Sequence, residues 1–225
     1  MTNSLWKETA AMPAFPAQQG SARTDVLIIG GGIAGILCAH MLSQAGIEYM
    51  LVEEREICSG ITENTTAKIT AQHGMVFDKL LRRFGQERAK GYLQANLEAA
   101  ELYRKLAKDV DCGFQEQNSY VYSEDEGELQ REMEALERLS YSAILSREIP
   151  LPVKCCGAVG FSSQAQFHPL RFLGHIAKDL NIREHTVVRE LRDCTAVTNG
   201  GRIKADRIIV ATHFPFLNKH MRISK

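Results

Sequence analysis

The sequence has no excess of either charge: 27 Lys and Arg stand against 27 Asp and Glu in 225 residues. A balanced chain has no long-range field to gather nucleic acid or an anionic membrane surface, so neither is expected as a partner. No apolar run approaches the ~20 residues that cross a bilayer, and the N-terminus lacks the basic-then-apolar order of a secretion signal. The six cysteines (Cys38, Cys58, Cys112, Cys155, Cys156 and Cys194) show neither C-x-x-C nor zinc spacing. Cys38 falls inside a helical pattern as a small hydrophobe, and the adjacent Cys155 and Cys156 read as part of an apolar strand rather than a redox pair. A reducing, cytoplasmic setting is expected. Proline is scarce, and two of the six, Pro13 and Pro16, break any helix before residue 24. Residues 1–24 therefore read as an arm, docked by packing of the single tryptophan, Trp6.

Against those absences, one stretch is dense in information. Asp25-Val26-Leu27-Ile28-Ile29 is a β-branched apolar run that stops at Gly30-Gly31-Gly32 and resumes at helical spacing through Met41 and Leu42. A buried parallel strand, a tight turn and a helix N-terminus follow from that pattern. Gly30, Gly32 and Gly35 have G-x-G-x-x-G spacing. The first allows the turn, the second lets backbone approach a pyrophosphate, and the third lets helix press on strand. Tyr49-Met50-Leu51-Val52 is the next buried strand, and it ends at Glu53, 53 − 35 = 18 residues past the last glycine. A carboxylate there accepts from ribose hydroxyls and repels a 2′-phosphate. An adenine dinucleotide is the expected ligand.

The remaining chain has room for one large domain or two small ones. Ser59–Gly74 is polar, rich in hydroxyls and carries one lysine, which suits a ribityl-diphosphate better than a plain dehydrogenase. Helical spacing starts at Met75, breaks or bends at Gly85, and continues to Val110. Ser119–Ser123 reads as a short strand and Ser123 with Glu126 as a capping box. Pro150 and Pro152 mark a loop, Cys155–Phe161 a strand, and Pro169 the first turn of a helix. Glu184–Leu191 is read as a strand. Thr195–Thr198 pairs with Arg202–Lys204 through Asn199-Gly200-Gly201, and Ala205–Thr212 is a buried strand with a small-residue end. The expected fold is α/β: a Rossmann-like FAD/NAD(P)-binding domain of residues 25–74 and 164–225, with an inserted, incomplete α+β substrate or cap domain of residues 75–163.

On Asp25–Gly35, Glu53, Ser59–Gly74, Gln164–Leu173 and Ile208–Thr212, the sequence resembles the N-terminal portion of FAD-dependent oxidoreductases of the D-amino-acid oxidase/glycine oxidase superfamily. The run Asn64–Gly74 is similar to a subgroup whose longer members can carry a C-terminal Rieske domain; no paired Cys/His ligand motif occurs, so no such cluster is expected. The resemblance implies FAD as cofactor. It places Gly30, Gly32, Ile33, Ala34 and Gly35 on the pyrophosphate and Glu53 on the ribose. Thr66, Ala67 and Lys68 would line the inner flavin site, Val188 would meet the adenine edge through its backbone, and Ala211 and Thr212 would close over the dinucleotide. His213 stands where most members have glycine.

The activity so implied is hydride transfer to flavin from a C–H beside the amine of a small amine or amino-acid substrate. No catalytic acid or base is assignable: His73 and Lys68 read as structural, and His168 as packing at a helix start. The resemblance covers about the first half of a usual member, so the expectation is a chain truncated at its C-terminus. It would bind FAD loosely, turn over slowly or not at all alone, and work as a homo-oligomer or beside a complementing chain. Two other readings share the fingerprint: an NAD-linked Rossmann dehydrogenase, and a non-catalytic dinucleotide-binding remnant.

Overall fold

A computed structural model describes residues 4–149 and 152–213. The loop mark at Pro150 and the chain end at 218–225 lie outside the described residues. The chain divides into two compact units, one from the described residues of Met1–Thr66 and Pro169–Lys225, the other Ala67–His168.

The first unit is built on a six-stranded sheet. Its elements are α1 (Leu5–Glu8), β1 (Ala22–Ile29), α2 (Ile33–Gln44), β2 (Tyr49–Val52), α5 (Pro169–Ala177), β7 (Ile182–Arg183), β8 (Val188–Arg192), β9 (Thr195–Thr198) and β10 (Arg202–Val210). The order is β7-β2-β1-β10-β9-β8. Strands β7, β2, β1 and β10 run parallel, whereas β9 lies antiparallel to β10 through the Asn199-Gly200-Gly201 turn and β8 antiparallel to β9. In a parallel sheet with helices packed on it, strand residues are buried on both sides and read as apolar runs. Accordingly Leu27, Ile28, Leu51, Ile182 and Ile203 are fully buried, with Ile36 of α2 above them. Register aligns Ile29 with Val52 on one side and with Val210 on the other, so three strands end together. Their common carboxyl edge is where a parallel sheet binds ligands.

The strand read over Glu184–Leu191 is corrected here. Ile182–Arg183 pairs with β2, His185 takes a left-handed turn (φ 50°), and a separate strand β8 begins at Val188. Hydrophobic alternation could not show that turn, because it is held by bonds to distant backbone: His185 N–H donates to Arg55 C=O (3.1 Å) and Thr186 N–H to Glu53 C=O (2.8 Å).

The second unit holds β3 (Lys68–Ile69), α3 (Phe77–Ala107), β4 (Gln115–Ser123), α4 (Glu126–Arg138), β5 (Ile144–Ser146) and β6 (Gly157–Gln166). Its sheet runs β3-β6-β4, with β5 also on β6. Phe77, Leu81, Leu129, Leu136, Val159 and Phe161 form the core. Gly85 breaks α3 into two helical segments, at φ 80° and ψ 170°. The capping box read at Ser123 and Glu126 is also corrected. Asp125 is the N-cap and accepts from Gly127 N–H (2.8 Å), Ser123 Oγ donates to Glu128 (2.6 Å), and Glu126 pairs with Arg147.

A buried carboxylate that no motif announced starts α3. Glu132 of α4 is 1 % exposed and accepts from Phe77 N–H and Asp78 N–H, both at 3.0 Å. It satisfies helix-terminal donors that have no intrahelical partner. Burial pushes the Glu132 carboxyl above the ordinary range, opposed by its bonds from Asp78, Phe77 and Val76. For an acid raised in the folded state, folded protein holds more protons than unfolded, so its contribution to stability fades as pH rises from the ordinary glutamate range through the raised value. Urea unfolding across pH should show the stability difference between wild type and Glu132→Gln shrinking through that window. A difference that grows with pH contradicts the assignment.

Candidate functional site

The site grows out of steric demands at the first βα turn. Gly30 has φ +112°, and a Cβ there would stand 2.9 Å from the Ala211 carbonyl group. The turn therefore needs glycine both for its conformation and for the approach of the chain following β10, where Ala211 N–H bonds Ile29 C=O (2.8 Å). Gly35 is tighter: a Cβ would lie 1.9 Å from the Gly30 carbonyl oxygen. These contacts draw the N-terminus of α2 onto the strand end, with backbone rather than side chain facing outward. Its N-cap residue is Gly32, which has no side chain to cap that terminus.

Glu53 closes the arrangement. Its Oε2 accepts from Gly31 N–H at 2.6 Å and its Oε1 from Arg55 N–H at 3.0 Å. One donor on each oxygen leaves further lone pairs for hydroxyl groups. The carboxylate is thus turned into the glycine turn and away from bulk water. Thr62, 8 % exposed, accepts at Oγ1 from Ile33 N–H (3.3 Å), the first residue of α2.

Around these groups lies a cavity of about 520 Å³. Its walls are Ile29–Gly30 and Gly32–Ala34 on one side, Val52–Glu56 and Cys58–Thr62 on another, and Thr186, Val188 and Ala211–His213 on the third. The structure so brings together Gly30, Gly32, Ile33, Ala34, Glu53, Val188, Ala211 and Thr212 of the residues named from sequence, with Gly35 directly beneath. Thr66, Ala67 and Lys68 are not on that wall. Thr66 is exposed at the end of the first unit; Ala67 and Lys68 belong to the second, Ala67 buried with φ 58° and Lys68 exposed on β3. Of the other readings, His73 meets Asn96 Oδ1 (3.1 Å), and His168 N–H donates to Cys112 C=O (2.6 Å).

Among the wall residues that the sequence does not single out are Thr62, Thr186 and Cys58. The hydroxyl-rich character of Ser59–Gly74 was a signal for the first, without resolving which hydroxyl reaches the helix. Cys58 carries no nucleophile, because burial and then Glu53, Glu184 and Glu63 push its thiol up to about 12. The cavity wall offers donors, carboxylate and small residues, the equipment for holding a nucleotide diphosphate. A larger hollow of about 760 Å³ lies in the second unit, between α4 and the segment Ser140–Arg147. Its wall carries no glycine and lies on no parallel strand end.

The model of the family "DAO: FAD dependent oxidoreductase" matches residues 25–221. The chain belongs to this family. The Bacillus subtilis (strain 168) protein YhfW, which carries the name of a Rieske 2Fe-2S iron-sulfur protein, is 36% identical over 95% of this chain and 45% of its own length. That name agrees with the subgroup resemblance of Asn64–Gly74. Gamma-glutamylputrescine oxidoreductase of Escherichia coli (strain K12) is 23% identical over 93% of this chain and 54% of its own. The chain thus spans about half the length of the curated relatives it matches. Among solved structures, L-proline dehydrogenase from P. horikoshii aligns with TM-score 0.68 and 20% identity over 88% of this chain and 54% of that one. Glycine oxidase from Geobacillus kaustophilus aligns with TM-score 0.61 and 18% identity, over 85% and 55%. At these identities the structural likeness speaks for the fold.

The steric account of the turn makes a direct prediction. Gly35→Ala should cost about 3 kcal/mol or more, since neither backbone at a 1.9 Å overlap can yield cheaply. Gly46→Ala, at a left-handed position with open space, should cost about 1 kcal/mol through φ alone. Chemical denaturation of both variants checks the ranking; equal losses would refute the close approach.

Proposed function

We propose that this chain carries the dinucleotide-binding part of a flavoprotein that oxidises a small amine or amino acid, with FAD held across the first βα turn. The observation that carries the reading is the 2.6 Å bond from Gly31 N–H to Glu53. It ties Glu53 to the glycine turn, and both face one cavity of about 520 Å³. An ADP moiety fits the chemistry of that wall. Gly30, Gly32, Ile33, Ala34 and Gly35 offer backbone and the positive end of the α2 dipole to the diphosphate. Glu53 accepts from the ribose hydroxyls, Val188 meets the adenine edge, and Ala211 and Thr212 close the third side.

Thr66, Ala67 and Lys68 are assigned to the flavin end. The left-handed φ of 58° at Ala67 supports that assignment, because alanine adopts this conformation at a cost of about 1–2 kcal/mol and such strain concentrates at functional backbone. When bound, FAD supplies a two-electron acceptor for a hydride from carbon beside nitrogen. This chain's part is to bind, orient and shield it. The substrate class follows the names of the relatives, which include a gamma-glutamylputrescine oxidoreductase, an L-proline dehydrogenase and a glycine oxidase. We read a cytoplasmic setting from the six cysteines, which show neither C-x-x-C nor zinc spacing.

Flavin titration of the purified chain tests the reading. Wild type should quench FAD fluorescence on binding, and Glu53→Ala should weaken affinity by about 10- to 100-fold, the loss of one or two hydrogen bonds to a charged acceptor. NAD, which shares only the ADP moiety with FAD, should compete at far higher concentration. Equal affinity of wild type and Glu53→Ala, or displacement of FAD by NAD at similar concentration, would overturn it.

A further inference from the structure

Glu184 is 2 % exposed, yet among the described residues no basic side chain bonds its carboxylate. Its two oxygens go to two backbone segments. Oε1 accepts from Ile57 N–H (2.7 Å), and Oε2 accepts from Phe15 N–H (2.8 Å) in the N-terminal arm. A buried carboxylate is tolerable only with strong donors, and short charge-assisted bonds of this kind provide them. Thr186, also 2 % exposed, repeats the link: its Oγ1 accepts from Gln18 N–H (3.0 Å).

Both ends of the arm bond segments that adjoin the cavity wall at Thr62 and Thr186. Near its start, the Ser4 hydroxyl donates to the Glu63 carbonyl, Trp6 Nε1 donates to Thr65 C=O (2.9 Å), and Lys7 pairs with Glu63 (3.4 Å). Near its end, Phe15 and Gln18 hold the 184–186 segment. From Glu184 the path to the phosphate turn is short. Ile57 roofs Gly31, its Cγ2 only 2.9 Å from where a Gly31 Cβ would stand, and Cys58 N–H donates to Gly31 C=O (2.9 Å). Glu184 therefore fixes, through Ile57 and Cys58, the height of the turn that faces the diphosphate.

We infer that Glu184 is a positioning residue that couples docking of the N-terminal arm to retention of the dinucleotide. The inference rests on the dinucleotide reading of the cavity. Coupling of this kind is reciprocal: whatever factor arm docking adds to ligand affinity, the ligand adds to arm docking.

Trp6 is the only tryptophan, so its emission reports the arm alone. The experiment measures FAD dissociation constants for wild type, Glu184→Gln, Trp6→Phe and the double variant, and Trp6 emission for wild type and Glu184→Gln with and without FAD. The isosteric amide should weaken FAD on the order of tenfold by opposing one of the two N–H donors. Trp6→Phe should weaken it on the order of threefold by losing one exposed-side bond. The double variant should fall short of the product, because both changes open one clasp. Trp6 emission in Glu184→Gln should be red-shifted without FAD and return toward the wild-type position with it.

Unchanged affinity in both single variants overturns the inference while leaving the dinucleotide reading intact, as does Trp6 emission that FAD does not move in either protein. Should Glu184→Gln fail to fold, Trp6→Phe with wild-type affinity overturns it equally. A wild-type chain that takes up no FAD defeats the dinucleotide reading and this inference with it.

Discussion

The short bond between Glu53 and the Gly31 amide is the interaction on which the site depends. It joins the end of one strand to the turn leaving its neighbour. A carboxylate at a glycine turn beside a helix N-terminus sits in favourable field, and both its oxygens are directed by backbone donors from Gly31 and Arg55. The side chain is consequently oriented before any ligand arrives, which reduces the ordering that binding must bear. The opposite face of the cavity is set by the same economy of backbone. Thr186 N–H bonds the Glu53 carbonyl, so the acid's main chain and side chain are tied in different directions.

Glycine makes that arrangement reachable. The contact of Gly35 with the Gly30 carbonyl, and of Gly30 with Ala211, leaves no volume for a methyl group at either place. What results is a surface of amides and small side chains at the carboxyl edge of β1, β2 and β10 rather than a filled crevice. Chemistry is not built into this wall. The thiol of Cys58 is held neutral by burial and by the acids around it. On the proposed reading such a wall would hold a cofactor whose own chemistry does the oxidation, in keeping with membership of a family of FAD-dependent oxidoreductases.

The βα turn, the second strand, its terminal acid and the β9–β10 hairpin were legible because their signals are local. A β-branched run, three glycines and an acid at the right distance are properties of neighbouring residues. What remained hidden depends on partners far along the chain. Glu184 and Glu132 look like ordinary surface acids in sequence, yet each is buried against backbone N–H groups of a remote segment. The left-handed turn at His185 splits what alternation presents as one strand, and it exists because Arg55 and Glu53 accept its amides. Asp125 displaced the capping box because its own side chain reaches Gly127, a choice between two adjacent caps that spacing alone does not decide. Thr62 was hidden among several hydroxyls of a polar loop, only one of which meets α2.

The central claim is that an adenosine diphosphate moiety lies on this turn. The most direct measurement is an amide chemical-shift titration of the isotopically labelled chain with ADP. The account predicts shifts concentrated at Gly31, Gly32 and Ile33, at Glu53, at Thr186–Val188 and at Ala211–Thr212. Shifts that leave those amides in place, or that gather instead along Glu126–Arg147 of the second unit, would contradict it.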